Sequence, residues 1–265
     1  VYVGKLHPQT LDVWLVTLSF LILFKMTVAF SQLGTVKMVG AGAVLGLAAL
    51  SRGTVMPFCV AWAGWWLWRQ RLEPRQKMRV IGCLAVGGLL MLAPIVVQGY
   101  HRYGRLIPLR TDTGANLWYG NHPGASGTSY TLGPNPVPVI ATLPPALASQ
   151  LAGKTEVEQH ELFTQATADF LRHEPVAALR LFLRKLGYFW WFSPHTGLLY
   201  PARWTVAYQL YYLAAASFAL VGLLICFRSG RFMTRMGARL FALLAVSLSV
   251  TQAVFYVEGR HRWQL

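Results

Sequence analysis

Six blocks of apolar residues, with the basic residues gathered between them, leave this chain few folds to choose from. They cover 11–30, 37–52, 54–68, 80–98, 205–227 and 240–257. The blocks 80–98 and 205–227 contain no charged residue, and runs of that length suit helices crossing about 30 Å of hydrocarbon. One buried helix of a soluble protein could imitate any of these blocks, but six in 265 residues cannot all be a soluble core. The expected fold class is an all-α integral membrane protein with about six transmembrane helices. Its chain divides into four spans over 1–98, an extracytoplasmic excursion over 99–204, and two closing spans over 205–265.

Charge then sets the orientation. The formal net charge is +15, from 24 Lys and Arg against 9 Asp and Glu, which taken alone would suit nucleic acid. The positions argue otherwise. Arg69, Arg71, Arg75, Lys77 and Arg79 join the third and fourth blocks, and Arg228, Arg231, Arg235 and Arg239 join the fifth and sixth. Charges so placed mark cytoplasmic loops beside anionic lipid, and no nucleic-acid partner is expected. Counting spans from these loops puts the excursion outside the cytoplasm, together with Asp12, the turn Ser51-Arg52-Gly53, and Arg260, His261 and Arg262. Lys25 is expected to snorkel to the interface, and Trp65, Trp66 and Trp68 to form an aromatic belt. Gly42 and Gly46 offer a small-residue face for a neighbouring helix. Cys59, Cys83 and Cys226 fall inside apolar blocks without metal-ligand spacing and read as small hydrophobes. The sequence opens in mid-stride, without an initiator Met or signal peptide, and is expected to be a segment of a longer protein.

Within the excursion, Thr113–Gly127 is rich in glycine and broken by Pro123, and is expected to be a loop rather than a helix. Asn116, Asn121, His122 and Ser126 give it hydrogen-bonding groups, and its glycines permit close backbone approach. Such a loop either faces a ligand or ties the excursion down. Pro134, Pro136, Pro138, Pro144 and Pro145 should keep the next stretch extended. Thr155-Glu156-Val157-Glu158 is a capping box that predicts a helix to about residue 173. Glu174-Pro175 breaks it and starts another over about 175–192, with Pro175 as its first residue. Leu181, Phe182, Leu186 and Phe189 alternate there with Arg180, Arg184 and Lys185. The helix therefore lies either in the outer interface or on a small core of the excursion.

No Gly-x-Ser-x-Gly elbow, no telling Cys/His pair, no His-x-x-x-His or CxxC set and no phosphate-binding GxxxxGK[ST] appears. No apolar block carries a buried acidic path, which disfavours a transporter. What remains is cationic. Arg52 and the Arg260-His261-Arg262 run are expected at the outer face, where guanidinium forks suit the phosphate of a lipid. Asp12 could serve beside them as base, metal ligand or orienting group, and equally as an N-cap-region residue.

Three segments carry a family resemblance. Gly46-Leu47-Ala48-Ala49-Leu50-Ser51-Arg52, the loop Asn116-Leu117-Trp118-Tyr119-Gly120-Asn121-His122-Pro123-Gly124-Ala125, and Phe255-Tyr256-Val257-Glu258-Gly259-Arg260-His261-Arg262 resemble, in the same order, segments of GT-C class lipid-linked glycosyltransferases. The nearest group is the bacterial relatives of protein O-mannosyltransferases and of the lipid A aminoarabinose transferase. The resemblance implies a GT-C-like multi-pass protein of a bacterial inner membrane. It would move a sugar from a polyprenyl-phosphate donor to a glycan, lipid or protein acceptor at the outer face. Arg52, Arg260 and Arg262, with His261, would hold the donor phosphate. Asn116, Tyr119, Gly120, Asn121 and His122 would line the substrate pocket, and Asp12 would be the catalytic carboxylate. A divalent cation is left open. Two departures count against a complete match: Gly53 stands where the family has proline, and the family's principal acidic residue belongs to a first outer loop expected upstream of residue 1. The alternative is a non-catalytic or truncated membrane subunit that binds lipid or a partner protein.

Overall fold

A computed structural model describes residues 8–29, 34–104, 111–132, 135–193, 202–258 and 261. Among them the regular structure is helical, with one isolated bridge between Tyr130 and Pro138. The α-helices are α1 Pro8–Val28, α2 Thr35–Ser51, α3 Met56–Arg69, α4 Pro74–Tyr103, α5 Thr113–Tyr119, α6 Pro145–Leu151, α7 Glu156–His173, α8 Pro175–Trp190, α9 Ala202–Arg228 and α10 Phe232–Val254. By length and composition, four segments suffice to cross a membrane: Thr10–Val28, Pro74–Tyr103, Arg203–Arg228 and Phe232–Val254. The other two apolar blocks form shorter helices, α2 with 17 residues and α3 with 14. The chain divides into two compact units, one of 1–102, 213–248 and 264–265, the other of 103–212 and 249–263.

In the first unit, close helix packing follows from the placement of glycine. A Cβ added to Gly42 would stand 2.2 Å from the Leu84 carbonyl oxygen, and one on Gly87 would stand 2.0 Å from that of Val39. The small-residue face of α2 thus meets its counterpart on α4, backbone against backbone. Phe58, Trp62 and Trp66, four residues apart on α3, are fully buried. The Trp62 and Trp66 rings stack at 5.7 Å, and Trp62 Nε1 donates to Thr27 Oγ1 on α1 over 3.0 Å. This corrects the expected aromatic belt: Trp68 is exposed, but Trp66 belongs to the core because helical spacing puts it on the Phe58 face. Gly87→Ala is expected to cost about 3 kcal/mol through overpacking against fixed backbone. Gly82→Ala, which meets nothing within 4 Å, should cost nothing. Thermal melting of the two variants in one detergent checks the contrast.

In the second unit, Trp118, Val139, Leu151 and Phe163 form a small core. The expectation that Thr113–Gly127 is non-helical holds only after Tyr119, because α5 occupies its first half. Gly114 permits that helix to dock: its N–H donates to His160 Nδ1 over 2.9 Å, and a Cβ there would meet the His160 carbonyl oxygen at 2.4 Å. The proline-rich stretch is likewise less extended than expected, since Val139–Thr142 forms a 3-10 turn and Pro145 opens α6. The capping box is present in full: Thr155 accepts from the Glu158 N–H while the Glu158 carboxylate accepts from the Thr155 N–H. Those bonds hold the Glu158 carboxyl below the usual range. Pro175 begins α8, which buries Leu181, Lys185 and Phe189 on one face and exposes Val176, Leu179, Leu183 and Trp190 on another. The helix therefore packs on a small core of the excursion and leaves a second, apolar face exposed.

Candidate functional site

Two polar clusters carry the residues singled out above, one in each unit. In the first, Asp12 lies in the second turn of α1 rather than at its start, and is buried to 5% exposure, so it does not act as an N-cap. One carboxylate oxygen accepts a short hydrogen bond from the Ser51 hydroxyl, and the other lies 3.6 Å from Arg52 Nη1. Ser51 is the last residue of α2, and Arg52 is its C-cap in extended conformation, with its N–H on the Ala48 carbonyl. The helix end thus aims both side chains at one carboxylate. Arg52 keeps 22% of its side chain exposed, so the pair is partly shielded from water. A carboxylate engaged at both oxygens is suited to orienting a guanidinium, and an oriented guanidinium is suited to phosphate. Two residues on, the Thr54 hydroxyl is buried without a hydrogen-bond partner among the described residues.

In the second unit, the glycine loop closes on the segment after α10 through Lys185. Its Nζ donates to Asn121 Oδ1 at 2.7 Å, the Phe255 carbonyl at 2.8 Å and the Gly120 carbonyl at 3.1 Å, with the Val254 carbonyl at 3.5 Å. Asn121 Nδ2 in turn donates to the carbonyls of Leu117 and Val254, each at 2.7 Å. Gly127, at φ +90°, leaves room for the lysine stem, since a Cβ there would stand 2.9 Å from Lys185 Cγ. The Gly127 carbonyl accepts from the Val257 N–H at 2.9 Å. Burial pushes the Lys185 ammonium down to about 7 from its ordinary 10.5, while the carbonyl cage works the other way by accepting from the charged form.

Beyond that tie, the Ser129 hydroxyl donates a short hydrogen bond to Glu258, and the Glu258 N–H donates to His261 Nδ1 at 3.2 Å. His261 is buried with its ring 5.7 Å from Tyr256, which lies 6.3 Å from Tyr119. With Nδ1 accepting, the neutral ring carries its proton on Nε2. Burial raises the Tyr119 phenol, with smaller contributions from Tyr256 and Asp112. His122 stacks on Trp118 at 4.4 Å and its Nδ1 lies 2.9 Å from the Trp118 carbonyl, so that nitrogen bears hydrogen. Burial lowers its pKa. Asn116 is half-buried on α5.

Arg260 and Arg262 lie outside the described residues. Asp12 and Arg52 form one local cluster; Tyr119, Gly120, Asn121, His122 and His261 belong to the other. Among the described residues no three His, Cys, Asp or Glu side chains gather to hold a metal ion. Sequence reading missed Lys185, which looked like one more cation between Arg184 and Leu186. Its spacing was the available signal, because it stands four residues from both Leu181 and Phe189 on the buried stripe. No family model matches this chain, and no curated protein or solved structure matches it either.

Proposed function

We propose that this chain belongs to a membrane glycosyltransferase that takes its sugar from a polyprenyl-phosphate donor at the outer face of a bacterial inner membrane. The observation that carries the reading is Arg52, anchored at a helix end by buried Asp12 and by the turn that follows Ser51. The three segments that resemble GT-C enzymes support it. In the reaction, an acceptor oxygen attacks the anomeric carbon, the bond from that carbon to the phosphate oxygen breaks, and the acceptor proton passes to a base. Arg52 meets the charge that collects on the leaving phosphate, and Asp12 holds Arg52 in register. By the resemblance, Arg260 and Arg262 share that task. All six apolar helices span the bilayer in this reading, with α2 and α3 as a short hairpin.

A second reading, a lipid-binding subunit without chemistry, draws on Asn121. Its amide is spent on Lys185 and two carbonyls, as a tie requires, so the glycine loop in this reading is a fastening. Both readings place phosphate on Arg52, and sugar transfer by the full-length protein that contains this chain separates them. The shared element is tested by binding of a polyprenyl phosphate in detergent. Arg52→Lys keeps the charge but loses the bidentate fork, and is expected to weaken binding about ten-fold, with Arg52→Ala weaker still. Native affinity in Arg52→Ala would remove the phosphate role.

A further inference from the structure

We propose that a groove between the basic ends of α3 and α10 holds one anionic phospholipid of the inner leaflet, with its phosphate on Arg239 and an acyl chain along Leu243 and Val246. This rests on the membrane-spanning reading and is independent of the transferase reading. The groove encloses about 290 Å³ and is lined by Trp65, Arg239, Leu240, Ala242, Leu243 and Val246. α3 ends where α10 begins: Trp65 stands one turn before the last residue of α3, and Arg239 two turns into α10. The two arginine-rich connections therefore flank one end of this unit, as the charge rule expects of a cytoplasmic surface.

The lining has the polarity of a phospholipid. Arg239 is exposed at one rim, and the Arg69 guanidinium lies 5.7 Å from the centroid of the Trp65 ring that walls the groove. Arg235 is one turn before Arg239 on the same helix. From Arg239 the face continues through Ala242, Leu243 and Val246, all apolar, over about 10 Å of helix rise. That length fits inside one leaflet, about 15 Å of hydrocarbon. A tryptophan beside the charged rim matches the depth at which headgroup meets acyl chain. Free phosphate would satisfy the arginine and leave the apolar wall bare, whereas a phospholipid covers both. With Arg239 on the rim and Arg69 over the Trp65 wall, the groove favours a headgroup that carries net negative charge.

The test uses the whole chain reconstituted in phosphatidylcholine vesicles. The probe is a minor fraction of phosphatidylglycerol bearing a photoactivatable acyl chain. Cross-linking should map to peptides containing Trp65 and Leu243–Val246, and excess inorganic phosphate should not compete. Arg239→Ala should lower the yield about five-fold, the worth of one basic residue at such a surface. Val246→Trp, which fills the apolar half without changing charge, should abolish labelling at Leu243. Equal yields in Arg239→Ala and the native chain, or equal yields from a phosphatidylcholine probe, would overturn the site. A chain that separates from the vesicles would overturn the membrane-spanning reading and the groove with it. A chain that stays in the vesicles with unchanged labelling overturns the groove alone.

Discussion

Lys185→Met is expected to melt below the native chain at pH 7, and the gap should widen as the pH is raised to 9. The methionine keeps the stem but leaves the Gly120 and Phe255 carbonyls and Asn121 Oδ1 without their shared donor. Buried acceptors left unpaired cost about 1–3 kcal/mol each. Release of the buried charge offsets part of that, so a net loss of about 2–4 kcal/mol is expected. The pH dependence has a definite sign. Between about 7 and the ordinary 10.5, the unfolded lysine binds a proton that the folded one does not. Unfolding then takes up a proton, so native stability rises with pH across that window and is level below it. The slope is at most about 1.4 kcal/mol per pH unit, and the carbonyl cage reduces it. Methionine removes the slope entirely. Melting curves from pH 6.5 to 9.5 decide the matter, since parallel lines for the two proteins would show that Lys185 stays charged throughout.

Gly120→Ala should be as damaging, by a different route. The new Cβ would stand 2.0 Å from the Phe255 carbonyl oxygen and 2.9 Å from the Tyr256 nitrogen. These are backbone atoms and cannot rotate aside, so the 255–257 segment must move and take the Lys185 and Val257 bonds with it. A loss of about 3 kcal/mol or more is expected, at or beyond the top of the usual overpacking range. Conformation is not the cause, because Gly120 has φ −92°. Gly187→Ala on α8 is the matched control. It is exposed, meets nothing within 4 Å, and should gain about 0.5–1 kcal/mol from helix propensity. Equal melting temperatures for Gly120→Ala and the native chain would overturn the close approach.

The parts legible in the sequence are those with local causes. The capping box at Thr155, the helix start at Pro175 and the glycine face of α2 each follow from chemistry within a few residues, and each is present. Where the cause is distant, the reading fell short. α5 is stabilised by a groove on α7 that accepts Gly114, and nothing near Gly114 announces His160, 46 residues away. Nothing near Asn121 announces its partners Val254 and Lys185, which are 133 and 64 residues off. Asp12 reads equally as an orienting group and as an N-cap-region residue, because the sequence does not tell where Ser51 and Arg52 will point. Trp66 differed for a simpler reason: three neighbouring tryptophans invite a belt, but a helix deals them to different faces.

The shortness of α3 has a consequence for the lipid itself. Fourteen residues rise about 21 Å, some 9 Å less than the apolar slab of an ordinary bilayer. In the membrane-spanning reading, with Arg69 among inner headgroups, the 3-10 turn Gly53–Val55 adds about 6 Å to that rise, and the hairpin tip with Arg52 and Asp12 would lie only a few ångströms below the outer surface. In that reading, a mismatch of a few ångströms would draw the outer leaflet slightly inward around the hairpin tip. A lipid phosphate bound by Arg52, as proposed, would then travel with its own lipid down a slope that the membrane has already made.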